Sequence, residues 1–500
     1  CLMIKVINSV ASPKIDKGVL FPFDTGSIPF STGLRLQLIN GQSPYNGNPI
    51  VLRNGNPGEP DDEMAIFYGT VLNIDGELRM WYQGKSSQDK TGRRLLYATS
   101  TDGVHWEKPS LGLIEFNGNS NNNIVDLFGG VACLTSCPIL HDPDDPDPNR
   151  RFKMAIETGK YMNQMAVAYS PDGLTWTESP NNPVAPSQET GSLVKIGDCY
   201  YIVSQDELGY HGSHFGIARK MLTFASYDFE NWTQASCLGF RRDNIPPRPM
   251  SPGHNMEEEA HQGAMLWDRG NVVIGVYDMW HGNPLGAQEL IDIDLGLVVT
   301  NDGLHYTEPI PDFKLIPAVY SPEVDLYQGF AKGASGTGKT INHGHGPAML
   351  NLGDETLMWY GGFWSGQVRL ARWKKDRLGY FETFSEVPFA DGDVFPITRP
   401  APHLITCPIQ VLDSGAKIYA NLDASDDSPL TIELLDEHFN PINGYSGDNS
   451  AHLNQSGFNV PVTWTGKDAL PDNTSTIRLR VTFGDGKRPE DCKLYAIYIE

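Results

Sequence analysis

Short alternating runs of apolar and polar residues, closed by turns, fill the chain from about residue 60 to about residue 385. Gly69-Thr-Val-Leu-Asn-Ile-Asp-Gly76 reads as a strand ending in an Asp-Gly turn, Glu77-Leu-Arg-Met-Trp-Tyr82 as its return and Arg94-Leu-Leu-Tyr-Ala-Thr-Ser100 as a third strand. A turn phrase follows, Ser100-Thr-Asp102-Gly103-Val-His-Trp106. It recurs as Ser170-Pro-Asp172-Gly173-Leu-Thr-Trp176, Ser226-Tyr-Asp228-Phe-Glu-Asn-Trp232 and Thr300-Asn-Asp302-Gly303-Leu-His-Tyr306, and in its most altered form as Lys374-Lys-Asp376-Arg-Leu-Gly-Tyr380. The aromatic lies four residues after the Asp in every copy, and successive aromatics are 70, 56, 74 and 74 residues apart. Four antiparallel strands per interval, five times over, predict an all-β fold, a five-bladed β-propeller. The phrase itself is structural: the Asp bonds turn amides, the Gly takes positive φ and the aromatic packs between blades.

Beyond about residue 400 the phrase disappears, and Ala416-Lys-Ile-Tyr-Ala-Asn421, Leu430-Thr-Ile-Glu-Leu-Leu435 and Ile477-Arg-Leu-Arg-Val-Thr482 alternate on a period of two. This predicts a small C-terminal β-sandwich. The expected organisation is residues 1–50 as an N-terminal strand and leading segment, 51–400 as the propeller and 401–500 as the sandwich.

Composition narrows the class. With 51 Gly, 36 Pro, 10 Trp, 20 Tyr and 21 Phe and no Gly-X-Y period, the chain is neither collagen-like nor disordered, and helical bundles are disfavoured. A net charge of −23 repels nucleic acid and anionic membranes, and no apolar run is long enough for a transmembrane helix. Seven scattered cysteines do not form a disulfide framework. Cys1 reads in two ways: a boundary of the sequenced piece, or the lipid-bearing first residue of a bacterial lipoprotein whose signal peptide has been removed. The second reading implies a secreted, periplasmic or outer-surface protein. Gly333-Ala-Ser-Gly-Thr-Gly338-Lys339-Thr340 satisfies the phosphate-loop pattern but is followed by Ile-Asn-His-Gly-His-Gly-Pro, which cannot be the required helix. Nucleotide binding is therefore excluded, and the segment reads as a Gly-rich loop.

Inner strands of a propeller begin near its axis, so residues just upstream of them converge. Aligning Gly69-Thr-Val-Leu, Cys137-Pro-Ile-Leu, Gly191-Ser-Leu-Val, Gly263-Ala-Met-Leu and Pro347-Ala-Met-Leu puts Phe67, Thr135, Glu189, His261 and His345 at equivalent positions two residues upstream. Period two adds Glu259 and His343 on the same faces. Such a set supplies a carboxylic acid and a base or nucleophile, with histidines that polarise or contact a substrate or hold an ion; the bland alternative is a water-filled channel. No cofactor is required. Where an ion is held, His261 and His345 are the expected ligands, and a mixed set suits zinc, manganese or iron better than calcium. Trp280 and Trp364 are candidate platforms for stacking a ligand, or inter-blade core.

Glu189-Thr-Gly-Ser-Leu-Val-Lys-Ile-Gly-Asp-Cys-Tyr-Tyr-Ile-Val203, together with the blade spacing, resembles the five-bladed furanosidase superfamily, glycoside hydrolase families 32, 43 and 68, over roughly residues 60 to 385. The resemblance implies a glycosidase acting on a carbohydrate, of fructan or arabinan type, with Glu189 as general acid/base in the central funnel. It also allows an axial calcium ion. The superfamily's first-blade Trp-x-Asn-Asp-Pro-Asn-Gly is absent, and Ser136-Cys137-Pro138 stands where it has Arg-Asp-Pro. Asp61, Asp62 or Glu63 then replaces the nucleophile, with Asp62 the representative choice and Glu259 a further catalytic candidate, or the mechanism differs. A carbohydrate-binding propeller without catalysis and a metal-dependent enzyme such as a polysaccharide lyase are the competing expectations.

Overall fold

Antiparallel pairing dominates the computed structural model, which describes the chain apart from residues 1–3, 11, 44–48, 90, 131–135, 162–163, 206–218, 243–257, 283–291, 320–340, 363–365, 385–399, 472–475 and 485–487. Cys1, Trp364 and the Gly-rich loop at 333–340 lie outside the described residues. Among the described residues there are strands and short 3-10 turns, and no helix is long and apolar enough to cross a membrane.

The chain divides into two compact units. One comprises Asn40–Trp267 and Ile274–Trp373 and holds five sheets among the described residues. In chain order their inner strands are Met64–Ile74, Ile139–His141, Glu189–Ile196, Glu258–Asp268 and the pair Asn342–His343 and Met349–Leu352. Hydrogen bonds join the sheets in sequence and back to the first. Cys137 N donates to Tyr68 O (3.3 Å), Thr190 Oγ1 to Ser136 O (2.9 Å), Leu266 N to Ser192 Oγ (3.2 Å), Gly344 N to Asp278 Oδ1 (2.8 Å) and Val71 N to Pro347 O (2.8 Å). The unit is thus a closed ring of sheets, a β-propeller. Its inner strands converge to backbone contact. Gly346, at φ 62°, donates to Gly191 O (2.9 Å), and a Cβ there would stand 1.9 Å from Gly69 O.

The turn phrases hold this ring together. Asp102 Oδ1 accepts from the amides of Val104 and His105, and Asp172, Asp228 and Asp302 repeat the pattern. Each phrase Trp donates its indole N–H to the carbonyl three residues earlier, Trp106 to Gly103, Trp176 to Gly173 and Trp232 to Phe229. The same glycine carbonyls receive a second indole from the adjacent sheet, Trp359 on Gly103 (2.8 Å) and Trp81 on Gly173 (2.7 Å). In the third copy Phe229 takes the positive φ (65°) in place of glycine and is fully buried against Tyr169, Tyr200 and Trp232.

The fifth phrase behaves differently. Gly379–Thr383 pairs with Leu34–Leu38 in the other unit, and the outer strand of the fifth sheet is instead Ile50–Arg53, paired with Gln367–Lys374. A strand from the start of the chain thereby completes the last sheet.

The other unit comprises Cys1–Ile39, Asp268–Val273 and Lys374–Glu500. Its two sheets share a core in which Ile477, Leu479, Val481 and Phe483 alternate inward along Thr476–Phe483, as period two requires. The expected boundaries near 50 and 400 differ from this division. Ile4–Val6, Gly18–Leu20, Phe30–Thr32 and Leu34–Leu38 are members of these sheets. Most are three residues long, too short to display a period, and pairing with strands hundreds of residues away fixes them. The described cysteines Cys137, Cys199, Cys237, Cys407 and Cys492 are free thiols.

Candidate functional site

The convergence of inner strands brings titratable side chains to the ring's centre. Glu189, half-buried at the start of its strand, pairs with Gln205 across the ladder and accepts from Gln262 Nε2 at 3.2 Å. Gln262 is held at φ 53°, with its amide donating to Gln205 Oε1 (2.7 Å), and its side chain also bonds Tyr68. Tyr68 is buried under the Arg93 guanidinium, 5.2 Å above its ring, and meets His345 and His343 edge-on at 4.7 and 5.7 Å. Burial first, and then the charges of Glu189 and Asp278, hold its phenol well above the usual range against the pull of Arg93, so it stays a neutral hydrogen-bond donor.

Asp278 lies on Val273–His281, the second strand of the fourth sheet, and is fully buried. Oδ1 accepts the amide of Gly344 (2.8 Å), while Oδ2 touches His343 Nδ1 and lies 3.8 Å from His345 Nε2. His345 Nε2 in turn approaches His343 Nδ1 at 3.2 Å. Burial pushes the Asp278 carboxyl up to about 7, opposed by His345 and the Gly344 amide. Burial likewise drives His343 and His345 down to about 3, so both imidazoles are neutral at neutral pH. His261 is buried beside them, its ring 5.3 Å from His343 and 4.8 Å from Trp280, and Arg219 Nη1 stands 2.6 Å from its Nδ1. One ligand-type atom each from His261, Asp278 and His343 falls within 4.8 Å of the others.

Of the residues singled out in the sequence, Glu189, His261, His343 and His345 meet here. Glu259 is fully buried, with Oε2 3.9 Å from Arg219 Nε. Asp62 is placed otherwise: it accepts from Ser87 N (2.7 Å), Ser87 Oγ (2.9 Å) and Gly58 N (2.9 Å), and no described contact links it to Glu189 or the histidines. Those bonds outweigh its partial burial and hold its pKa below the ordinary value, as for a loop-closing carboxylate. His345 stands against His343 and is not one of the three converging ligand atoms; the carboxylate Asp278 takes that place. Trp280 is 5% exposed within a strand and packs on His261, so it forms part of the site's wall and not an exposed platform.

No family model matches the chain. Two curated relatives from Mycobacterium tuberculosis, the uncharacterized proteins MT1551 and Rv1502, are each 26% identical over 171 residues, 31% of this chain and 51% of theirs. The chain therefore spans about half the length of the curated relatives it matches. Similar solved structures include a glycosyl hydrolase from Bacteroides ovatus (16% identity, TM-score 0.44, 68% of this chain and 96% of that one). Another is a fructofuranosidase from Schwanniomyces occidentalis complexed with fructose (14% identity, TM-score 0.37, 92% and 99%). A third belongs to the GH130 family, described as containing glycoside hydrolases that target β-1,2 mannosidic linkages in Candida mannan (16% identity, TM-score 0.44, 68% and 95%). The fold assignment rests on the sheet pairing itself.

Asp278, Tyr68, Gln262 and Arg219 were not among the sequence candidates. Asp278 shares a strand face with Trp280 by period two, a signal that a search confined to inner-strand starts passes over. Tyr68 was displaced by one position: the ladder of Met64–Ile74 shifts between Ile66 and Thr70, so simple register points to Phe67. Chemically, the centre offers a half-buried carboxyl (Glu189), a neutral phenol, neutral imidazoles and two guanidinium groups. These are donors and acceptors suited to a hydroxyl-rich ligand and to proton transfer.

Proposed function

We propose that the protein is a glycoside hydrolase whose substrate enters the centre of a five-bladed propeller, with Glu189 as general acid/base. The observation that carries this reading is the position of Glu189: among the described residues it alone of the central carboxyl groups is partly exposed, it opens an inner strand, and Gln262 fixes one of its oxygens at 3.2 Å. Tyr68 stands within interaction range of Glu189 and carries the Arg93 guanidinium over its ring, so a proton leaving Glu189 does so beside a fixed neutral donor. A neutral glycan suits a chain of charge −23. Furanosides of fructan and arabinan type are the first substrates to assay, followed by β-mannosides.

Glu189→Gln tests the reading. Turnover of the cleaved glycan should fall by ~10²–10⁴-fold, the range for loss of a positioned general acid/base, with the melting temperature unchanged. Retained turnover removes Glu189 from the chemistry. Binding of glycans by the unaltered protein without product release replaces the hydrolase with a carbohydrate-binding propeller.

A further inference from the structure

We infer that His261, Asp278 and His343 form a binding site for one first-row divalent cation, zinc or manganese in preference to calcium. Their ligand atoms lie within 4.8 Å of one another, each residue is at most 3% exposed, and each comes from a different strand. Two imidazoles and one carboxylate are the donor set of borderline transition ions, whereas calcium takes oxygen. Three protein ligands also leave coordination positions for water or a sugar hydroxyl.

The surroundings favour a cation. The carboxyl groups of Glu189 and Glu259 stand around the three ligands, with Arg219 beside Glu259 and Arg93 over Tyr68. Asp278 is anchored from behind by the Gly344 amide, and His345 braces His343 at 3.2 Å, as neighbours that orient metal ligands do. Arg219 is the competing group, since it donates to His261 Nδ1 at 2.6 Å and leaves the ring proton on Nε2. Ion binding moves that proton to Nδ1 and turns Arg219 toward Glu259, whose Oε2 is already 3.9 Å from its Nε. The inference does not depend on the role of Glu189.

The test is calorimetric titration of the chelator-treated 500-residue chain with ZnCl2, MnCl2 and CaCl2, together with the visible absorption of the Co2+-loaded protein. Zinc or manganese should bind at one ion per chain and more tightly than calcium. Asp278→Asn and His343→Gln should each weaken binding by at least ~10-fold. Arg219→Gln should bind at least as tightly as the unaltered chain, and Glu189→Gln should keep the ion while losing turnover. Equal binding in the Asp278 and His343 variants, weaker binding in the Arg219 variant, preference for calcium, or no binding overturns the site. Should the core variants fail to fold, the Co2+ spectrum decides: strong bands of four- or five-coordinate cobalt with nitrogen ligands support it, and the weak bands of all-oxygen octahedral cobalt overturn it.

Discussion

Asp102, Asp172, Asp228 and Asp302 close the repeated turns, and in each the carboxylate accepts two backbone amides within three residues of itself. Asp278 sits at the ring's centre, receives one amide from a residue 66 positions away and otherwise meets imidazoles. The consequences are opposite. Partial burial of Asp228 is outweighed by the Asn231 and Glu230 bonds, which bring its pKa down to about 2, whereas burial of Asp278 prevails and raises its carboxyl to about 7. Residue type is the same in both places. Density of local donors separates a structural carboxylate from one held ready for an ion or a proton.

Three perturbations sharpen that contrast. The largest effect is expected at Gly173→Ala: the residue sits at φ 80°, and a Cβ would stand 2.6 Å from Cζ2 of Trp81. Strain plus overpacking should cost about 3 kcal/mol in denaturant unfolding, while ion binding at the centre persists. Next is acid stability. Asp294, 2% exposed, is bonded by His281 (2.8 Å) and Lys314 (2.6 Å); burial works against these bonds but they prevail, bringing its pKa to about 2. Its folded value lies below the unfolded value of ~3.9, so its contribution is present above about pH 4 and lost as pH falls through about 2, on the order of 2 kcal/mol. Asp294→Asn should flatten the unfolding curve in that window; an unchanged acid limb would mean that the ion pair contributes nothing. Smallest is Asp102→Ala, whose half-exposed carboxylate should cost about 1 kcal/mol by thermal melting, comparable to loss of a helix cap. Should Asp102→Ala also abolish ion binding or turnover, turn and centre are not separable.

Legibility followed the range of the interactions. The turn phrases were readable because every bond that defines them falls within a few residues, including the unusual Phe229, whose positive φ the Asp228 pattern still enforces. Glu189, His261, His343 and His345 were readable because they share a position relative to repeated strands. Asp376 copied the Asp of a turn phrase yet is buried in the other unit, bonded by Arg269 and by Tyr498 (2.8 Å), because the strand after it pairs with Leu34–Leu38. Asp62, close in sequence to the first inner strand, is occupied by Ser87 and Gly58, contacts that no local pattern signals.

By itself, the sequence determined the all-β class, the repeated sheets and the alternating core of Thr476–Phe483, since periodicity and turn chemistry act locally. Tertiary structure alone decided that Ile50–Arg53 completes the fifth sheet, that Tyr68 and not Phe67 faces Glu189, and that Asp278 joins two histidines from other strands. These depend on ring closure and on a two-residue shift in a ladder, where residues 67–69 oppose Tyr82 alone, and both bring together positions that share no local pattern.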